Sequence, residues 1–124
     1  MRVKALLATA LVLGFGSSVT QAGEADVIDV EFKEMSNRLF HFTVTVVHAD
    51  EGWDHYVDRW DVVAPDGTVL GTRSLYQPNE NGQQFTSSLV GVKVPDGISE
   101  VTLRAHDTVH EYGGKSLTAT LTTP

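Results

Sequence analysis

Hydrophobic and polar side chains alternate along most of the chain after residue 25. The segment Arg38 to His48 is the clearest case. It places four apolar side chains on one face and three polar ones on the other: Phe40, Phe42, Val44 and Val46 against His41, Thr43 and Thr45. A period of two is typical of a β-strand with one buried face. No segment of helical period and useful length follows residue 22, so an all-β domain is predicted.

Seven strands are predicted, separated by Gly, Pro, Asn and Asp. Their bounds are Asp26–Glu34, Arg38–His48, His55–Ala64, Thr68–Leu75, Gln84–Val92, Glu100–Asp107 and Ser116–Thr122. Pro-Asp-Gly at 65–67 and 95–97 marks two turns, because proline and glycine supply the backbone angles that turns need. Seven short strands in one domain predict an immunoglobulin-like or fibronectin-like antiparallel β-sandwich, with Trp60 at its centre. A barrel is the alternative topology.

The first 22 residues have the pattern of a secretory signal peptide. Arg2 and Lys4 precede an apolar run from Ala5 to Phe15, and Thr20 and Ala22 fit the minus-three and minus-one positions of a cleavage site. The apolar run is too short to span a membrane. We therefore expect a leader at 1–22, a single domain at 23–124, and a periplasmic or secreted protein with no membrane insertion after cleavage. A buried N-terminal strand or helix is the alternative.

Charge and composition exclude several classes of function. The net charge is −7, from 16 acidic and 9 basic residues, and cleavage would remove two basic residues and no acidic one. Such an acidic chain repels phosphate, so nucleic acid is not an expected partner. There is no cysteine, which excludes a thiol nucleophile, a thiolate zinc site and a blue-copper centre. The domain must be stable without a disulfide.

The predicted topology brings chemically rich loops to one end of the sandwich. In an immunoglobulin-like fold the second-to-third, fourth-to-fifth and sixth-to-seventh strand connections gather at one pole. These connections carry most of the imidazoles and several carboxylates and aromatic rings. The histidines among them are His48, His55, His106 and His110. The opposite pole has ordinary turns.

A divalent-metal site is the first hypothesis for this pole. His48 continues the inward face of its strand, and so does Asp107, which places both side chains at the mouth of the core. His48, His106 and His110 are the expected ligands, and His55 or Asp107 completes or orients the set. Imidazole and carboxylate ligands suit Zn or Cu(II). None of the strong metal-binding spacings is present.

Other interpretations of the same residues stay open. His48 and Asp107 can instead hydrogen-bond the loop backbones and hold the pole rigid. The aromatic and acidic residues Trp53, Asp54, Tyr56 and Tyr112 can form a surface that docks a partner protein or a glycan, although Trp53 can also fold over the core as a plug. A solvated acidic face is favoured over a calcium site, since no EF-hand spacing is present.

Two segments carry a resemblance to known proteins. The runs HADEGWDHYVDRWDVVAPDGTVLGTRSL at 48–75 and RAHDTVHEYGG at 104–114 resemble a group of short exported proteins of bacteria, mostly proteobacteria. The resemblance implies an exported location and a sandwich fold, and it carries no mechanism. The prediction is a non-enzymatic periplasmic binding module with a divalent-metal site. A metal-free interaction module and a purely structural envelope accessory domain are the alternatives.

Overall fold

A computed structural model of the chain describes residues 2–4, 23–79 and 83–121. Eight strands are present in this part of the chain: β1 Arg2–Lys4, β2 Asp26–Ser36, β3 Leu39–Val47, β4 Val57–Val63, β5 Val69–Ser74, β6 Gln84–Lys93, β7 Glu100–Asp107 and β8 Leu117–Thr120. A short 3-10 helix, Gly52–Asp54, lies between β3 and β4. Among the described residues no helix is long and apolar enough to cross a membrane.

The strands form two antiparallel sheets that pack face to face. One sheet has the order β1-β2-β3-β6 and the other β5-β4-β7-β8. The all-β sandwich predicted from the alternation is therefore confirmed, with β2 to β8 as the seven expected strands. β5 pairs with β4 and not with β6, so the fourth predicted strand lies in the opposite sheet from its position in an immunoglobulin constant domain.

The predicted signal peptide lies almost entirely outside the described residues. Only 2–4 are described, and their backbone pairs with Glu31–Lys33 of β2. Cleavage after residue 22 would remove this strand and leave β2 as the edge of a three-stranded sheet.

Two β-bulges change which side chains enter the core. Strict alternation from Val30 would place Ile28 inward. A register shift between Val27 and Asp29 instead turns Val27 inward, with 1% of its surface exposed, and leaves Ile28 half-buried. Alternation from Trp60 would likewise place Tyr56 inward. A second shift, between Val57 and Arg59, instead buries Val57 and leaves Tyr56 half-buried. An extra residue in one strand reverses the side-chain alternation beyond it, and the period-two pattern does not show where this happens.

Trp60 occupies the centre of the core, as predicted. Its side chain is fully buried, and its indole Nε1 donates a hydrogen bond to Ser87 Oγ at 2.8 Å. Trp60 lies on β4 and Ser87 on β6, so this bond joins the two sheets. Phe32, Phe40 and Phe42 form an aromatic cluster in the first sheet, with ring centroids 5.9 to 6.3 Å apart.

The loops converge at one pole, as predicted from the strand order. β3 ends there and β4 begins there, and the other two connections bond to the β3–β4 loop. The His48 amide donates to Gln83 O at 2.8 Å, and the Thr108 amide donates to Tyr56 O at 3.1 Å. These bonds tie the β5–β6 and β7–β8 loops to the same end of the sandwich.

We expect Trp60→Ala to lower the free energy of unfolding by about 3–5 kcal/mol, the usual cost of truncating a buried aromatic side chain. The matched control is Trp53→Ala, because Trp53 is 66% exposed and its loss should change stability by about 0.5 kcal/mol or less. Urea unfolding followed by far-ultraviolet circular dichroism measures both. Equal effects of the two substitutions would contradict the assignment of Trp60 to the core.

Candidate functional site

His48 and Asp107 enter the mouth of the core, as their strand alternation predicts. His48 is 2% exposed and Asp107 is fully buried. His48 Nε2 and Asp107 Oδ2 are 3.9 Å apart. His48 follows the last residue of β3, and Asp107 ends β7. The two residues come from different sheets, so the sandwich itself brings them together.

His55 completes a compact group with these two residues. One ligand atom from each of His48, His55 and Asp107 lies within 4.8 Å of the others, so the three side chains could hold a metal ion. The two imidazole Nε2 atoms are 3.2 Å apart, and His55 Nε2 lies 3.5 Å from Asp107 Oδ1. The backbone oxygen of Gly23 faces the same point, 3.1 Å from His48 Nε2 and 3.0 Å from His55 Nε2.

A carboxylate orients each imidazole of the pair. His48 Nδ1 lies 2.6 Å from Asp50 Oδ1, and His55 Nδ1 lies 3.0 Å from Glu51 Oε1. A carboxylate only accepts hydrogen bonds, so each Nδ1 carries the proton. When such a ring is neutral, its proton is on Nδ1 and its Nε2 lone pair faces the shared point. Metal-binding histidines usually have this arrangement.

Asp50 is the carboxylate that positions the β3–β4 loop. Its side chain is almost fully buried, and besides the His48 ring it accepts bonds from the Val57 amide at 3.2 Å and the Asn79 amide at 2.6 Å. This role of Asp50 was not predicted from the sequence. Its place two residues after an inward-facing histidine was the available signal, since short aspartate side chains often bond nearby groups in loops.

Only one of the two carboxylate oxygens of Asp107 has hydrogen-bond partners among the described residues. Its Oδ1 accepts from the amides of Val109 at 2.8 Å and His110 at 2.6 Å. Its Oδ2 is buried and has no hydrogen-bond partner within the part of the chain that the structure describes. A buried charged oxygen without a partner is costly. This oxygen therefore has capacity for a cation.

The surroundings of His55 shift its pKa in both directions. Burial lowers its pKa, but the hydrogen bonds to Glu51 and to the Gly23 carbonyl, together with the charge of Asp107, raise the pKa above its ordinary value. A proton and a metal ion would therefore compete for the same Nε2 lone pair.

The other two predicted histidines are placed differently. His110 lies beside the group: its ring is centred 5.0 Å from the His55 ring, its Nδ1 is 3.4 Å from Asp107 Oδ1, and its side chain is 37% exposed. The structure does not bring His106 to the group. Alternation along β7 directs His106 to the outer face, opposite Asp107, and its Nδ1 contacts Asp58 Oδ1 at 2.6 Å.

The structure places the predicted docking residues in two neighbourhoods. Trp53 and Asp54 are exposed on the 3-10 helix, and Trp53 packs edge-on against half-buried Tyr56, with ring centroids 5.6 Å apart. With 66% of its surface exposed, Trp53 does not plug the core. Tyr112 belongs to the outer sheet face.

Tyr112 is the centre of a polar network on that outer face. Its hydroxyl donates to Asp61 Oδ2 at 2.6 Å and accepts from Arg59 Nε at 3.2 Å. The Arg104 guanidinium lies 3.9 Å from the centre of its ring, and Arg104 Nε donates to Asp61 Oδ2 at 3.2 Å. Burial and the Asp61 hydrogen bond raise the pKa of Tyr112, although Arg59 acts in the opposite direction.

We expect Asp50→Ala to lower the free energy of unfolding by about 2 kcal/mol or more, because it leaves the His48 ring and two backbone amides without their acceptor. Asp54→Ala removes an exposed carboxylate from the same loop and is the matched control, with an expected change of about 0.5 kcal/mol or less. Thermal melts of the two variants provide the measurement. If Asp50→Ala and wild type have the same melting temperature, Asp50 does not hold the loop.

We expect Tyr112 to lose its proton at higher pH than an exposed tyrosine. Its folded-state pKa is raised above the ordinary value of 10.0, so the unfolded chain releases this proton first as pH rises. The stabilisation is full below pH 10 and is lost as pH passes from there through the folded-state pKa. Unfolding measured across this range should show a steeper decline for wild type than for Tyr112→Phe. If the stability of wild type and of Tyr112→Phe falls equally as pH rises, the pKa of Tyr112 is not raised.

The comparisons with known proteins find one homologous sequence. The chain is 38% identical over 94 residues to a lipoprotein-named protein of Halomicrobium mukohataei. The aligned part is 76% of this chain and 46% of the relative, so the chain spans about half the relative's length. No family model matches the chain. No solved structure matches it either.

Proposed function

We propose that the protein is an exported, non-enzymatic binding module with a divalent-metal site formed by His48, His55 and Asp107. The observation that carries this proposal is the convergence of lone pairs at one buried point. Two imidazole Nε2 atoms whose Nδ1 protons are engaged, one backbone oxygen and one unpartnered carboxylate oxygen face each other. With both rings neutral, two Nε2 lone pairs, a carbonyl oxygen and a carboxylate oxygen would face each other with no hydrogen between them, and a shared cation would offset their repulsion.

The separations suit a first-row transition metal. Zn–N and Zn–O bonds of about 2.0–2.2 Å in a tetrahedron place neighbouring ligand atoms about 3.3–3.5 Å apart. The distances among the two Nε2 atoms and Gly23 O are 3.0, 3.1 and 3.2 Å. The carboxylate of Asp107 lies slightly farther away, with Oδ1 3.5 Å from His55 Nε2 and Oδ2 3.9 Å from His48 Nε2. Two imidazoles with oxygen ligands favour Zn or Cu(II), whereas calcium and magnesium prefer oxygen alone. His106 and His110, two of the three ligands expected from the sequence, are not in the proposed set, and His55 and Gly23 O take their places.

Burial supports a binding role more than a catalytic one. The side chains of His48 and Asp107 are fully enclosed, and only 13% of the His55 side chain is exposed. Catalytic zinc sites keep an open position for water or substrate, and structural sites are closed. Export is supported by the N-terminal pattern of residues 1–22 and by the lipoprotein name of the homologue.

A metal-free docking surface is the second candidate function. Trp53, Val109 and Tyr76 are 66%, 54% and 83% exposed, all in the loops of the same pole. Exposed aromatic side chains with polar neighbours are typical of surfaces that bind a protein or a glycan. In that case Trp53→Ala should abolish partner capture, and chelators should have no effect. If neither ions nor partners bind, the pole has only a structural role.

We expect purified exported protein, prepared without chelator or affinity tag, to carry near-stoichiometric Zn or Cu. Adding that ion at about 100 times its dissociation constant should stabilise the fold by about 2.7 kcal/mol, and raise the melting temperature by about 10 °C. EDTA should reverse the rise, and calcium should not reproduce it. Elemental analysis and thermal melts are the measurements.

The ligand assignment is tested by two substitutions inside the group and one histidine substitution outside it. His55→Ala and Asp107→Asn should abolish the metal-dependent rise in melting temperature. His106→Ala removes an imidazole on the outer face and should leave the rise unchanged. Loss of the rise in all three variants, or in none, would contradict the proposed ligand set. Absence of any metal and of any shift in wild type would overturn the metal function itself.

A further inference from the structure

Gly23 contributes to the metal group although it has no side chain. The residue is buried, and its carbonyl oxygen lies 3.1 Å from His48 Nε2 and 3.0 Å from His55 Nε2. A Cβ at this position would lie 3.1 Å from His110 Cε1, which is tighter than ordinary contact. The bare backbone of glycine therefore fits the space between the imidazoles.

The segment that follows Gly23 is fixed to the β7–β8 loop. The Val27 amide donates to Lys115 O at 2.9 Å, and the Lys115 amide donates to Asp26 Oδ1 at 2.7 Å. Ala25 O packs so closely on Gly114 that a Cβ there would lie 1.9 Å away. This close contact with Ala25 O explains why residue 114 is a glycine. Its backbone conformation does not require one, because Gly114 is not among the glycines with positive φ. These contacts hold Gly23 against the histidines.

A separate feature of the sequence points to the same residue. Thr20 and Ala22 fit the minus-three and minus-one positions of a signal-peptidase site. Hydrolysis of the peptide bond after Ala22 would leave the new carboxylate on the leader and a free α-amino group on Gly23. The structure and the cleavage pattern are independent, and both single out this glycine.

We propose that removal of the leader completes the metal site, with the α-amino nitrogen of Gly23 as an additional ligand. This inference rests on the proposed metal function and names how that site is regulated. Nitrogen and carbonyl oxygen of one residue close a five-membered ring with an ion: metal, N, Cα, C and O. An ion held by Gly23 O is therefore within reach of the amine of the same residue.

Export controls the site because the two forms of this nitrogen differ chemically. Before cleavage it is an amide, and its lone pair is delocalised into the carbonyl group. After cleavage it is an amine, whose lone pair is not delocalised and can bind a metal ion. The unprocessed chain would bind metal weakly and the exported chain tightly, so loading would follow export.

The experiment compares two forms of the exported protein. One is wild type, expressed with its leader. The other has two serines inserted between Ala22 and Gly23, which keeps Thr20 and Ala22 in place and moves the new amine away from the histidines. Intact mass identifies each N-terminus, and circular dichroism and a metal-free melt check that both forms fold alike. Cu(II) is the probe, in titrations and in electron paramagnetic resonance after labelling with ¹⁵N-glycine.

We expect wild type to begin at Gly23 and to bind Cu(II) at least ~10-fold more tightly than the insertion variant, a difference of about 1.4 kcal/mol. ¹⁵N-glycine should change the nitrogen hyperfine pattern of wild type and leave that of the insertion variant unchanged. A mature N-terminus elsewhere, or equal affinities and no isotope effect, would overturn the inference.

The two proposals fail in different ways. If both forms bind Cu(II) equally and His55→Ala abolishes binding in both, the metal site stands and the role of the α-amino group is wrong. If neither form binds Cu(II) or Zn, the metal function fails and this inference fails with it.

Discussion

The pole of this sandwich depends on two buried carboxylates that must be satisfied without solvent. Asp50 accepts the ring proton of His48 and the amides of Val57 and Asn79. It thereby joins the end of β3, the start of β4 and the β5–β6 loop. A buried charge is tolerated only with partners of this kind. The fixed orientation of His48, and with it the geometry of the whole group, follows from this one carboxylate.

Asp107 differs from Asp50 in how many of its carboxylate oxygens have hydrogen-bond partners. Both are buried, but Asp107 uses one oxygen for the turn at the start of the β7–β8 loop and leaves the other unpartnered among the described residues. The turn itself is well formed, with reciprocal backbone bonds between Asp107 and Glu111 at 3.0 Å. The second oxygen is therefore not needed to hold the loop, and it lies 3.9 Å from His48 Nε2, where the proposed metal ion would give it a partner.

The two faces of β7 keep two polar systems apart. Asp107 points inward to the histidines, whereas His106 and Arg104 point outward, to Asp58 and to the network around Tyr112. In the outer network donors and acceptors are matched: the buried carboxylate of Asp61 accepts from Thr72, Arg104 and Tyr112. It stabilises the sheet surface. The inner group instead collects acceptors, which is the arrangement that a cation requires.

Alternation along the chain predicts strands β2 to β8, the inward face of β3 and the inward positions of His48 and Asp107, because alternation is a local property of the chain. The order of the predicted strands also shows which loops carry imidazoles. Which of these imidazoles meet depends on contacts between distant segments. His106 and His110 are close in sequence, yet one faces outward and the other lies beside the group. The bulges near Val27 and Val57, the acceptor role of Asp50 and the carbonyl of Gly23 depend on contacts between distant segments, which no local pattern encodes.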